Sequence, residues 1–538
     1  MPGWNFAEVW ETVADQLPDA TAQAQGDRSF TWGEFDRRAD GIAKTLLDLG
    51  ASHQDKVAQY LYNSTEYLES MFGIFKAGLV PVNTNYRYAD EELLYLWDNA
   101  DAVAVVFHGQ FSDRVETLRH KLPAIVGWIW VDDGSGPCPD WAIPYEQAAS
   151  AADERVRPSW GRDGDDLYML YTGGTTGMPK GVMWRQDDIF STLNGSSLGI
   201  RFEENGSIED IRAQITQPGM IALPACPLMH GTGAFTSFST LSGAGSVVTL
   251  TQRNFDPEEL LQTIADRKVN VLAMVGDAFG KPMLRALEAN AGKWDIASLV
   301  AIVSSGVMWS EETKQGLLGH HAGMLLVDAF SSSEALGMGS SVSSAGGAVK
   351  TAKFSLGDNA RVIDDDGNDV EPGSGAVGRV AVKGRTPVGY YKDEEKSART
   401  FLVIDGERYS VPGDFATVEV DGTLQLLGRG SVCINTGGEK VYPEEVEEVL
   451  KTHASIQDAV AVGIPDDKWG EAITAVVEPV AGSTVDADDV IAHVKARLAA
   501  FKAPKHVVTV DTIGRAPNGK VDYKRLKSEA AASLGVQI

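Results

Sequence analysis

The 538-residue chain is short of cysteine, of positive charge and of long apolar runs, and each shortage excludes something. Its three cysteines, Cys138, Cys226 and Cys433, are too few and too far apart for a disulfide framework or a paired-thiolate metal site, which fits a reducing cytoplasm. Lysine and arginine total 47 against 75 aspartate and glutamate, and the net charge of −28 opposes non-specific binding to nucleic acid or anionic lipid. Near the start, Glu8, Glu11 and Asp15 stand where an export signal needs a basic segment and then an apolar one, so no export is expected. Between Arg212 and Arg253 there is no charged residue at all. A membrane helix needs about 20 predominantly apolar residues, however, and this stretch is broken by Pro218, Pro224, Pro227 and many small polar residues. Buried strands and a pocket wall are expected there instead.

At this length two or more domains are expected. The acidity is uneven: the first 430 residues carry −24 and the rest −4, and within the latter residues 495–527 carry +7. Such a basic strip suits a small phosphate ligand or is a solvated face. Residues 30–50 have apolar side chains at helical spacing, with Thr31 and Glu34 placed as a capping box. Residues 56–86 alternate strand, helix and strand, the rhythm of a parallel sheet covered by helices, and the strands AVAVVF and GWIWV continue it.

The chain is organised around residues 171–181, YTGGTTGMPKG, which follow an apolar run and precede a helix-like segment from Val182. Glycines let backbone N–H groups approach an anion, threonine hydroxyls donate to it, and Lys180 adds charge, so the loop reads as a phosphate cradle. A kinase-type P-loop needs Ser or Thr directly after its lysine; Gly181 stands there, and that motif fails. A plain glycine-rich turn is the other reading of the loop taken alone.

The pattern of Thr172, Gly173, Gly174, Thr175, Thr176, Gly177, Pro179, Lys180 and Gly181 resembles the signature loop of the adenylate-forming superfamily, which includes acyl-CoA synthetases, free-standing adenylation domains and luciferases. Further motifs of that family follow in order. His230, in ALPACPLMHGTGAF, stands where the family has an aromatic residue or histidine gating the acyl pocket. Ser305, Gly306 and Val307 end a strand in the segment that lines adenine and the acyl pocket. Asp328, Ala329, Phe330, Ser331, Ser332, Ser333 and Glu334 align with the adenine and magnesium motif. Phe330 replaces its usual tyrosine, Ser331 its glycine and Ser333 its threonine, while Glu334 is kept. Asp414 matches the ribose-binding aspartate and Arg429 the arginine at the domain junction. Ser431 stands where the hinge residue is usually Asp or Lys. Gly437 and Gly438 match a loop of the CoA tunnel, and Lys520, in GRAPNGK, is the family's catalytic lysine.

The resemblance implies an α/β fold, with a large N-terminal domain of parallel-rich sheets and helices plus a small β-barrel-like part (1–429) and a small mobile α+β C-terminal domain (430–538). It implies ATP and CoA as cosubstrates, Mg²⁺ held by Glu334, and acyl-AMP formation in which Lys520, Glu334 and His230 take part. The segments 184–190, 331–336, 387–401 and 427–447 look like those of actinobacterial fatty-acyl and steroid side-chain CoA ligases. Residues 228–238 hold no acidic group to bind an amine, which favours an apolar acid over an amino acid. An acyl-AMP ligase that loads a carrier protein and a non-catalytic nucleotide-binding relative stay open, as do a homodimer and the choice between fatty and steroid acid.

Overall fold

The computed structural model describes residues 3–174, 177–203, 206–307, 309–346, 353–429, 434–436, 439–466, 470–516 and 519–536. Among them, three sheets organise the chain. The first runs parallel through the strands Thr21–Gln25, Ser246–Thr249, Ile221–Pro224, Val271–Met274, Ala301–Ser305 and Leu325–Phe330. From Gly339–Ser343 onward it continues antiparallel through Asp414–Val418 and Leu424–Arg429. The barrel-like part is thus an open antiparallel extension, and its pairing path does not close on itself.

The second sheet has Lys56–Tyr60 between Val80–Asn83 and Ala102–His108, all parallel, as the alternating strand and helix pattern predicts. Packed between the two sheets, the helices Trp32–Asp48 and Thr65–Lys76 carry the core. The first of them starts with the expected capping box, Thr31 Oγ1 accepting from the Glu34 amide and Glu34 accepting from the Thr31 amide. A third sheet, residues 434–509, pairs Ile456–Asp466 with Gly470–Pro479 and is covered by the helix Pro443–Lys451.

One expectation is corrected. Residues from Val182 form no helix: Gly177–Arg185 is a strand that pairs back on Leu167–Gly174, and the helix begins only at Gln186. The physical reason is alternation. Val182, Trp184 and Gln186 are buried while Met183 and Arg185 are half-buried, a period of two that suits a sheet edge. The expected phosphate loop therefore lies between two paired strands, with Gly174 opposite Gly177. In the charge-free stretch, the strand Ile221–Pro224, the helix Gly231–Ser242 and the strand Ser246–Thr249 stand as buried elements. Among the described residues no helix is long and apolar enough to cross a membrane.

Candidate active site

The parallel strands Val271–Met274, Ala301–Ser305 and Leu325–Phe330 end at one rim, where doubly wound sheets place their ligands. A cavity of about 1340 Å³ opens there. It brings together Thr172, Gly173, His230, Ser305, Gly306 and Val307 with the run from Asp328 to Glu334, with Asp414 and, from the far end of the chain, with Lys520.

Other expected positions lie elsewhere. Lys180 is not on the cavity wall; its ammonium is paired with the Asp393 carboxylate, above the Tyr390 ring. Gly174 and Gly177 face each other across the two paired strands. Arg429 is the strand partner of Asp414, backbone to backbone. Thr175, Thr176, Ser431, Gly437 and Gly438 fall outside the described residues.

The polar wall is held by neighbours. Glu334 Oε1 accepts the Tyr390 phenol at 2.8 Å, and the described residues form no other hydrogen bond to that carboxylate. Its backbone carbonyl accepts from Ser410 Oγ at 2.6 Å, and the Ser333 carbonyl accepts from Trp184 Nε1 at 2.9 Å. Asn83 clamps two segments at once. Its Nδ2 donates to the carbonyls of Tyr171 and Met229, both at 2.8 Å, and its Oδ1 accepts the Tyr171 amide at 2.6 Å. The entry to the phosphate loop and the turn before His230 are thereby fixed to each other.

The far side comes from the C-terminal sheet. Arg515 forks onto Asp458 at 2.6 and 2.9 Å and donates to the Gly519 carbonyl at 3.1 Å, while the Ala516 amide bonds the Lys520 carbonyl at 2.8 Å. Gly519, at φ +71°, lies so close to the ends of the strands Val271–Met274 and Ala301–Ser305 that a Cβ would sit 2.6 Å from Val307 Cγ2 and 2.8 Å from Val275 Cγ1. Gly428 makes a second close approach: a Cβ there would lie 2.0 Å from the Glu444 carboxylate at the start of the helix Pro443–Lys451. These contacts carry Lys520 to the cavity.

Electrostatics follow from this packing. Burial, and after it the Lys520 ammonium, push His230 down to about 3, so its imidazole is neutral at ordinary pH and no proton carrier near neutrality. Burial pushes Asp328 up to about 7 against the opposing pull of Lys314, whose ammonium lies 3.9 Å away, and with a further rise from Asp277. Because this folded value stands above the ordinary carboxyl value, the group's contribution to stability is full below pH 3.8 and lost as pH rises through about 7. Asp328→Asn should therefore flatten the fall of melting temperature between pH 4 and 7, and an unchanged slope would contradict the assignment.

A hard divalent cation fits the site. Mg²⁺ takes one or two carboxylates plus phosphate oxygens and keeps several waters. Glu334 offers one such carboxylate on the cavity wall, and the described residues hold no cluster of three or more His, Cys, Asp or Glu that would make an all-protein cage. Beside the helix Gly231–Ser242 the cavity is lined by Thr232, Phe235, Thr236, Thr240 and Leu193, none of them charged. Thr236 and Thr240 return their hydroxyls to the carbonyls four residues back, at 2.8 Å each, and so need no partner from a ligand.

Sequence reading assigned no role to Tyr390, Asp393, Asn83 or Arg515. Arg515 sits in the quoted GRAPNGK motif and could have been found there. The others act through pairings across long separations, which no local pattern announces.

Comparison with known proteins decides the family: the AMP-binding enzyme pattern matches residues 10–391, and the AMP-binding enzyme C-terminal domain matches residues 445–520. The chain belongs to the AMP-binding enzyme family. This AMP-binding enzyme is 40% identical over 533 residues to the medium/long-chain-fatty-acid–CoA/3-oxocholest-4-en-26-oate–CoA ligase of Mycolicibacterium smegmatis, covering 97% of this chain and 96% of that one. It is 39% identical to the 3-oxocholest-4-en-26-oate–CoA ligase of Rhodococcus rhodochrous, over 98% and 96% of the two chains. In fold it matches the anthranilate CoA ligase AuaEII in complex with anthranoyl-AMP, with a TM-score of 0.85 at 21% identity over 100% and 99% of the chains. ATP-bound MatB of Rhodopseudomonas palustris follows at 0.80 and 24%, over 99% and 100%. The AMP-binding enzyme thus has the mixed α/β fold of that group.

Proposed function

We propose that the protein is an AMP-forming acid–thiol ligase that activates a hydrophobic carboxylic acid, of the medium- or long-chain fatty or steroid side-chain kind, and transfers it to coenzyme A. The observation that carries this reading is the seating of Lys520 on the same cavity as Glu334, Asp414 and His230, a cavity lined also by the uncharged residues Thr232, Phe235, Thr236 and Thr240. The relatives' names support the acid and the thiol.

The chemistry sets the roles. A carboxylate is a poor electrophile because oxide is a poor leaving group; attack on the α-phosphorus of ATP replaces that oxide by AMP and releases pyrophosphate. Such a step needs positioning and charge neutralisation rather than a protein nucleophile. Lys520 stabilises charge between acid and α-phosphate, and Phe330 lies along the adenine with Ser305, Gly306, Val307, Asp328 and Ala329. Asp414 with Arg429 takes the ribose, and the 172–177 segment with Lys180 holds the pyrophosphate side, Lys180 leaving Asp393 for it. Ser331, Ser332 and Ser333 donate to phosphate. Mg²⁺ held by Glu334 neutralises phosphate charge when bound. His230 stays neutral and shapes the acyl pocket. Residues 430–538 then move as a unit against 1–429, withdrawing Lys520 and admitting CoA along Gly437 and Gly438. Free thiols at Cys138 and Cys226 suit a reducing cytoplasm.

The test is thioester and AMP formation, followed by mass spectrometry, over acids from short fatty chains to steroid side-chain acids. Thioesters are expected with the larger apolar acids. Acyl-AMP that accumulates and is not consumed by CoA would assign the carrier-loading alternative, and no acid-dependent turnover of ATP across the panel would leave a nucleotide-binding relative.

A further inference from the structure

We propose that Tyr390 is a positioning residue for the triphosphate site, its phenol fixing the Glu334 carboxylate for a divalent cation. This rests on the function proposed above and adds to it a residue to which neither the sequence motifs nor the relatives assign a role.

Glu334 is buried, and the bond from the Tyr390 hydroxyl to Oε1 at 2.8 Å is the one its carboxylate makes with the described residues. A lysine or arginine in that place would neutralise the carboxylate and compete with a cation. A neutral phenol holds the group's rotamer and leaves its charge in full. Tyr390 is itself held on both sides. The pair Gly389–Tyr390 is a strand added to the edge of Gly177–Arg185, with Tyr390 opposite Val182 and Gly389 opposite Met183. The amides of Val388 and Tyr391 donate to the carbonyls of Met183 and Gly181 at 2.8 Å each. Ser397 Oγ accepts the Tyr390 amide at 2.8 Å and donates to the Asp393 carbonyl at 2.7 Å. Asp393 caps the helix Glu394–Thr400 and pairs with Lys180, whose Nζ stands 5.9 Å from the centre of the Tyr390 ring. One short segment therefore touches both the Glu334 carboxylate and Lys180.

Tyr390→Phe removes the hydroxyl and keeps the ring, the strand pairing and the Lys180 contact. ATP binding is measured by calorimetry at stepped Mg²⁺ concentrations, and again with the metal chelated. Losing a hydrogen bond to a metal-binding carboxylate costs roughly 10–100-fold in metal affinity. The Mg²⁺ concentration that half-saturates the gain in ATP affinity should rise about 10-fold. Binding without metal, and thioester formation from supplied acyl-AMP, should stay as in the unaltered protein. In a Glu334→Gln background the same change should have no further effect on the Mg²⁺ curve, because the group it orients is gone. An unchanged Mg²⁺ curve, an equal loss with and without metal, or an effect that persists in the Glu334→Gln background would overturn the proposal. Failure of the functional reading is seen separately, as a lack of acid-dependent ATP turnover in the unaltered protein.

Discussion

Lys520→Ala is expected to lower acyl-adenylate formation by about 10²- to 10³-fold, the scale of losing one charge-stabilising donor at a transition state. The loss should fall on one half-reaction only. Acid-dependent exchange of pyrophosphate into ATP should nearly vanish, whereas thioester formation from supplied acyl-AMP and CoA should keep much of its rate. The reason is geometric. Lys520 reaches the cavity because Arg515 and the Ala516 amide shape its turn and because Gly519 has no side chain to strike Val307 and Val275. In the proposed movement of residues 430–538 that turn leaves the cavity, so the thiol step is expected to proceed without the lysine. An equal loss in both half-reactions would mean that Lys520 supports the fold or binds substrate uniformly.

Lys76→Met should destabilise the protein by about 3–5 kcal/mol, as expected when one partner of a buried charge cluster is removed. Lys76 is fully buried and lies 2.6 Å from Asp40, 2.8 Å from Asp36 and 3.3 Å from Glu11. Arg155 shares Asp36 and Arg162 shares Glu11, so the ammonium is the centre of a network that ties the helix Phe6–Gln16 to the helices Trp32–Asp48 and Thr65–Lys76. Methionine fills the volume of the stem but leaves Asp40, whose carboxyl burial already pushes up, without its nearest cation. The urea midpoint at pH 7 reports the loss. A shift worth less than about 1 kcal/mol would place this cluster with ordinary surface ion pairs.

The two cases show what the sequence could and could not tell. Periodicity located the helices around Phe35 and Met71 because their apolar faces repeat at 3.6 residues, and it located the strands ending at Ser305 and Phe330 as apolar runs. It failed at Val182, where glycine and proline upstream suggested a loop entering a helix while the side chains alternated as in a strand. Lys76 was legible as part of a structural block, but not as a fully buried charge, since its three carboxylate partners come from two other helices. Motif resemblance singled out Glu334, Asp414 and Lys520, which share one cavity, and also Lys180, which is not on its wall. Tyr390 was not assigned, because its contact with Glu334 spans 56 positions and depends on which sheet edge the 389–390 strand joins. The resting partner of Lys180 was hidden for the same reason, Asp393 lying 213 positions away.

If the acid's carboxylate attacks the α-phosphorus of ATP in this cavity, isotope transfer will show it. An acid labelled with ¹⁸O in its carboxyl group, incubated with ATP, Mg²⁺ and CoA, should yield AMP carrying one ¹⁸O, since the bridging oxygen of the acyl-AMP leaves with the phosphate when the thiol attacks. Unlabelled AMP, or ADP with the label in inorganic phosphate, would contradict it.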